Sequence, residues 1–213
     1  MLYNVGMKQL LIITGPQGSG NHVFSKILSL HESVYGWNSL NETYWEGHHD
    51  EPFSSMWKNP DEAHTFDWEQ SDYYVTSISC PYIKNKVPHI PNYSEFIRNV
   101  NRHCEVSIAV IGRDQNILTQ QQARLRGETT THMMISEVDK LNKDNNLHFL
   151  SQELLYLYKH NYLEELNRQL PIPVEYESPD ISDILEVDAN EKYIQFINTH
   201  WLDKEVHRVI KDS

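Results

Sequence analysis

The segment Leu10-Leu11-Ile12-Ile13-Thr14, running directly into Gly15-Pro16-Gln17-Gly18-Ser19-Gly20, constrains the fold more than any other part of the chain. A short, uninterrupted apolar run has no polar face. It therefore predicts a strand over residues 9–14 that is covered on both sides, as in a parallel sheet flanked by helices. The glycine-rich turn that follows opens a helix predicted over residues 21–31. Asn21 is its expected cap, and Val23, Phe24, Ile27, Leu28 and Leu30 form its inward side. A strand, a glycine turn and a helix in that order form an anion cradle, because the glycines let successive backbone N–H groups converge and the helix adds the positive end of its dipole. The pattern G-x-x-x-x-G-K-[ST] would place Lys where Asn21 stands and Ser or Thr where His22 stands. The turn thus has the form of a phosphate loop and lacks the side chains of an ordinary ATPase or GTPase.

The remaining pattern extends the same architecture. Further strands are expected at residues 73–79, 106–111 and 173–177. Helices are expected at 92–102, 116–127, 133–143, 151–170, 190–199 and 203–211. Alternation of strands and helices predicts an α/β fold, with three layers, a central and mostly parallel sheet, and helices on both faces. The 213 residues suit a single domain. Residues 36–72 interrupt the alternation with a stretch rich in Trp, Asp, Glu, His and Pro, which holds four of the five tryptophans. A segment of this length reads as a lid or an acceptor-binding excursion over the mouth of the sheet. Its tryptophans serve either as core anchors or as stacking faces for a sugar or other ring. In sheets of this kind ligands bind beyond the carboxyl ends of the strands, where both the 15–22 turn and Gly112-Arg113-Asp114 are expected.

Charge and cysteine content narrow the partners. The net charge of −12 argues against a nucleic-acid coat protein, which needs a cationic surface. Five of the seven arginines (Arg98, Arg102, Arg113, Arg124, Arg126) nevertheless fall in one central stretch. That cluster is either a site or two solvated helix faces. Cys80 and Cys104, the two cysteines, are too few for a disulfide framework and are expected as buried free thiols. No apolar run approaches a membrane span, and no leader-like segment precedes Leu10. A soluble, reducing and cytoplasmic setting is the expectation.

Three motifs together resemble the P-loop sulfotransferases, which use 3′-phosphoadenosine 5′-phosphosulfate (PAPS) and release its desulfated product PAP. Thr14-Gly15-Pro16-Gln17-Gly18-Ser19-Gly20-Asn21-His22 is similar to the family's 5′-phosphosulfate loop, with Ser19-Gly20 at its core. Ile108-Ala109-Val110-Ile111-Gly112-Arg113-Asp114 looks like the strand whose terminal arginine binds the 3′-phosphate. Pro173-Val174-Glu175-Tyr176-Glu177-Ser178-Pro179 resembles a late strand of the family. The resemblance spans most of the chain. It implies that Gly15, Pro16, Gln17, Gly18, Ser19, Gly20, Asn21 and His22 hold the phosphosulfate, and that Arg113 and Gln121 hold the 3′-phosphate. The implied activity is sulfuryl transfer to a hydroxyl or amine acceptor, with a small molecule or glycan as partner.

The departures are equally specific. Gly18 stands where the family carries Lys or Arg, Gln121 where it carries a serine, and Ser79 where many members carry a catalytic His. For catalysis the candidates are His22, Glu42, Glu46 and His89. His22 at the helix start either donates a hydrogen bond to the phosphosulfate or faces water. Glu42 and Glu46 lie in the aromatic excursion, where some sulfotransferases carry a glutamate, and His89 follows the second long strand. The neighbouring His48 and His49 lack the i, i+4 or C-x-x-C geometry of a zinc site, so no metal is expected. A kinase-like nucleotide enzyme with a degenerate loop and a non-catalytic nucleotide-binding protein are the alternatives.

Overall fold

The computed structural model describes residues 7–37, 53–84, 87–126, 129–144 and 146–186. Its centre is strand β1 (Lys8–Gly15), the apolar run identified above, in which Leu10, Leu11, Ile12 and Ile13 are all buried. β1 lies between β3 (Tyr73–Ser79) and β6 (Cys104–Gly112), and both pairings are parallel. The short edge strand β2 (Val34–Tyr35) pairs with β3, and β7 (Asn146–Ser151) pairs with β6, again in parallel. The sheet therefore has the order β2-β3-β1-β6-β7. A separate antiparallel ribbon joins β4 (Tyr82–Lys84) and β5 (Val87–His89).

Because side chains alternate along a strand, successive residues of β1 feed two different cores. Leu10 and Ile12 join Tyr74, Ile108 and Val110 under α2 (Tyr93–Val100) and α4 (Thr131–Asp144). Leu11 and Ile13 join Val75, Ala109 and Ile111 under α1 (Asn21–Leu28), α5 (Gln152–Tyr158), α6 (His160–Gln169) and α7 (Pro179–Glu186). The result is an α/β fold of three layers. Each fully buried aliphatic side chain contributes about 1.5–3 kcal/mol, so β1, with two on each face, ties the layers together.

The order of connections positions the site. From β1 the chain crosses by α1, on one face, toward β2 at the edge. From β6 it passes α3 (Gln115–Arg126) and then α4, which packs on the opposite face, before β7. The connections leave β1 and β6 in opposite directions, which opens a crevice at their carboxyl ends. Gly15, Ser79, Gly112 and Ser151 all lie at that end of the sheet.

The structure departs from the sequence reading in several places. Residues 173–177 are not a strand among the described residues. Ile172 and Val174 instead pack into the second core, and Asn167 Oδ1 accepts from the Val174 amide at 2.9 Å. The fifth strand is β7, whose half-exposed edge position blurs its apolar pattern. The expected helix over 151–170 begins only after that strand, where Ser151 Oγ caps α5 by accepting from the Leu154 amide at 3.2 Å. It then breaks at Lys159, whose φ is +45°. α1 stops at Leu28, short of residue 31, with Ser29 Oγ bonded to the Ser25 carbonyl at 2.7 Å.

Residues 53–68 of the aromatic excursion pack on the first core. Trp68 is buried and donates to the Ala63 carbonyl at 2.7 Å. Trp57 stacks on Phe96 at 3.9 Å between ring centres and donates to Thr76 Oγ1 at 3.0 Å. Trp37 is fully buried as well. Trp57 and Trp68 are core anchors. Glu42, Glu46, Trp45, His48 and His49 lie outside the described residues, as do the helices expected at 190–199 and 203–211. No helix of the described residues is long and apolar enough to cross a membrane. Cys80 and Cys104 are buried free thiols.

Candidate functional site

Thr14 anchors the loop from below: its hydroxyl donates to the Ile78 carbonyl at 2.8 Å and lies 2.6 Å from the hydroxyl of Tyr93. Burial holds the Tyr93 phenol well above its ordinary pKa, so it stays neutral as a hydrogen-bonding partner. At Gly15 the strand ends with no space to spare. A Cβ there would stand 2.5 Å from Ser19 Oγ and 2.8 Å from the Ile111 carbonyl oxygen. The Gly15 carbonyl accepts from the Cys80 amide at 2.9 Å, which prolongs the β1–β3 ladder by one step.

The turn itself closes with the Ser19 amide donating to the Pro16 carbonyl at 3.0 Å. Gly18 and Gly20 have φ of +87° and +103°, a left-handed conformation that side-chain-bearing residues adopt only with strain. Gly20, not Asn21, is the N-cap of α1, and no side chain caps that helix. Asn21, expected as the cap, instead turns inward. Its amide group donates to Ser79 Oγ at 3.0 Å and to the Gly15 carbonyl at 3.4 Å, while Oδ1 accepts from Ser19 Oγ at 3.0 Å. Asn21 is therefore a buried brace that ties the loop to β3.

Helix α3 grips the other side. Gln122 donates to the Gln17 carbonyl at 2.8 Å and accepts from the Thr130 amide at 2.8 Å. Arg113 Nη1 donates to the Gly18 carbonyl, and also to Gln121 Oε1 at 2.7 Å. Two consecutive loop carbonyls thus point toward α3 and the segment that leads into it, Gln17 at Gln122 and Gly18 at Arg113. In a trans peptide the N–H points opposite to the C=O, so the amide of Gly18 is turned to the other side of the loop. Asp114 takes no part in this contact. It caps α3 by accepting from the amides of Asn116 and Ile117 at 2.9 and 3.0 Å, and so sets the direction in which the chain leaves β6.

Two side-chain oxygens in this region have no hydrogen-bond partner: Oε1 of Gln17, which is 6% exposed, and Oε1 of Gln152, which is 2% exposed. Gln152 points at Gly20, where an added Cβ would meet its Oε1 at 2.6 Å. Burying such an atom unpaired costs about 1–3 kcal/mol. Rotation of either amide about its terminal bond would present N–H in place of oxygen.

The other sequence candidates separate by position. His22 is half-buried on the first turn of α1, with its ring centre 5.9 Å from that of Trp37. His89 is exposed on β5. Its ring stacks on Tyr82, which lies just beyond the carboxyl end of β3. Gln121, Arg113 and the whole 15–22 turn come together. Gln122 and Gln152 escaped sequence reasoning, since one glutamine in a Gln-Gln-Gln run or at a helix start carries no signal of its own. No group of three or more metal-ligating side chains occurs among the described residues. No known protein family and no curated protein matches the sequence.

Proposed function

We propose that this chain is a sulfotransferase-like P-loop protein that moves the sulfuryl group of PAPS to a hydroxyl or amine acceptor, with saccharides among the acceptor classes. The observation that carries this reading is the glycine turn at the topological switch of a parallel sheet, braced by Asn21 and met by an arginine from the neighbouring strand. Such a turn suits a phosphate, because convergent amides and a helix N-terminus favour an anion. Both glycines are needed for the turn: each has a positive φ, and a Cβ at Gly18 or Gly20 would run into the amide of Gln121 or Gln152. Bound there, PAPS supplies an activated sulfuryl group, whose S–O bond to phosphate breaks as the acceptor oxygen or nitrogen bonds to sulfur.

The protein's own contribution is position and charge. The 15–22 turn orients the phosphate, and Arg113 brings positive charge to the crevice. The acceptor's proton goes to a base drawn from His22, Glu42, Glu46 and His89. A kinase-like reading fares worse. Asn21 is committed to three partners inside the fold, and it supplies neither a lysine nor a magnesium-binding hydroxyl. A nucleotide-binding protein without turnover is the second reading. It is favoured by Ser79, which takes the place of the family's His and is bonded to Asn21.

Calorimetric titration of the full chain tests this. PAP is expected to bind without Mg²⁺ and more tightly than ATP or ADP, and indifference to PAP would end the proposal. Binding of PAP with no sulfated product from an acceptor panel would favour the second reading.

A further inference from the structure

Away from the crevice, three side chains that can carry positive charge meet beside the first core. His64 ends a short 3₁₀ helix (Pro60–His64), and Arg102 and His103 lie in the turn between α2 and β6. His64 Nδ1 lies 3.4 Å from His103 Nε2, and Arg102 Nη1 lies 3.4 Å from His64 Nε2. The two imidazole centres are 5.7 Å apart. That exceeds the nitrogen separation by about two ring radii, so the two nitrogens face each other head-on. This is the arrangement of a hydrogen bond, whereas lone pairs that share a metal ion converge on it at an angle. The half-buried His103 ring also stacks on buried Trp68, with centres 5.6 Å apart and planes 12° apart.

The arginine dictates where the protons sit. A guanidinium only donates, so His64 Nε2 accepts. A neutral imidazole has a single N–H, so His64 Nδ1 carries it and donates to His103 Nε2. Both rings are then neutral, and a proton added to either one sets two donors face to face. We infer that Arg102, His64 and His103 form a proton-sensitive clasp, which fastens the 60–64 helix to the α2–β6 turn at neutral pH and releases it in acid. The clasp does not depend on what the glycine turn binds. The charged groups of the surrounding elements have other partners. On the 60–64 helix, Glu62 accepts from Asn59 at 3.3 Å. On α2, Glu95 lies 3.8 Å from Arg98. On β6, Glu105 accepts from Gln9 at 3.0 Å. Beside Trp68, Asp67 accepts from the Glu69 amide at 3.0 Å, and Glu69 pairs with Lys8 at 3.1 Å. Among the described residues no carboxylate, Asp61 included, pairs with either ring. Partial burial, followed by His64 and Arg102, holds the His103 imidazole below the ordinary histidine pKa. The unfolded chain therefore takes this proton more readily than the folded one. The clasp's contribution is complete above the ordinary pKa and is lost as pH falls through the lowered one.

NMR titration of the full chain tests the clasp. The His103 ring resonances, assigned by their loss in His103→Gln, are expected to titrate below the ordinary histidine pKa. His64→Gln and Arg102→Met are each expected to raise that midpoint. Hydrogen exchange reads the release itself. The Thr65 and Phe66 amides donate to the Glu62 carbonyl at 3.0 and 3.1 Å. Their protection relative to an unfolded peptide is expected to fall about 2- to 5-fold between about pH 7.5 and about pH 5, the range for exposed charge interactions. The double variant His64→Gln/His103→Gln keeps side chains that donate and accept but take up no proton, and its protection is expected to stay level. A His103 midpoint at or above the ordinary value overturns the inference. Unchanged protection in the wild-type chain overturns it too, and so does an equal fall in the double variant, which would place the sensitivity in other groups.

Discussion

Gly15→Ala adds one methyl group at the tightest point of the crevice. The new Cβ would stand 2.5 Å from Ser19 Oγ and 2.8 Å from the Ile111 carbonyl oxygen, both well inside van der Waals contact. Ser19 can rotate away, at the expense of its buried 3.0 Å bond to Asn21 Oδ1, a loss of about 1 kcal/mol. The Ile111 carbonyl belongs to the β6 backbone and can move only with the strand. Overpacking of this kind costs about 1–3 kcal/mol, so the total is about 2–4 kcal/mol. For a chain of this size each kcal/mol lowers Tm by about 2–4 °C, which gives an expected drop of roughly 5–15 °C.

Gly112→Ala is the matched control, at the same end of the adjacent strand. Its Cβ would meet only the Leu150 carbonyl oxygen, at 3.7 Å. There alanine restricts the unfolded chain without crowding the folded one, for a gain of up to about 1 kcal/mol. Differential scanning calorimetry of the two variants beside wild type decides the matter. Equal Tm values for the pair, or a Gly15→Ala shift within about 1 °C, would show that the loop is not packed against β6 as described.

Burial pushes the Cys80 thiol up to about 11 and the Cys104 thiol up to about 12. Since the thiolate is the reactive form, neither should react with a disulfide reagent at pH 8 until the chain unfolds, and rapid stoichiometric labelling of the native protein would contradict this. His148 on β7 is held below the ordinary histidine pKa by desolvation, and its Nε2 has no hydrogen-bond partner. The unfolded chain therefore binds a proton there more readily than the folded one, so stability is present above the ordinary histidine pKa and is lost as pH falls below it. His148→Leu should flatten the dependence of Tm on pH over that interval, and identical slopes in variant and wild type would refute the assignment.

The elements read correctly from sequence are those whose periodicity comes from burial on a whole face. β1 and β6 carry apolar runs because layers cover them on both sides, β3 shows a partial alternation, and α2 repeats Phe96, Ile97 and Val100 toward one core. β7 and the break at Lys159 were illegible for the opposite reason. β7 is an edge strand with an exposed Phe149, so its sequence lacks a buried pattern and merges with the helix that follows. The late Val174 segment reads as a strand because its apolar residues are buried, yet they pack without a ladder partner. In the site, glycine spacing revealed the turn but not what surrounds it. Nothing in Gln121, Gln122 or Gln152 announces that one orients an arginine, one braces a carbonyl and one faces Gly20.

By itself, then, the sequence determined the mostly parallel α/β architecture and the position of the glycine turn. Both follow from local rules: an apolar run needs cover on each face, and a glycine turn before a helix converges its amides. Tertiary structure alone decided which side chains complete the turn. Asn21 becomes a brace to Ser79, and Arg113 reaches Gly18 across 95 residues of chain. Those contacts depend on the strand order β3-β1-β6, which sets residues distant in sequence side by side and which no local pattern encodes.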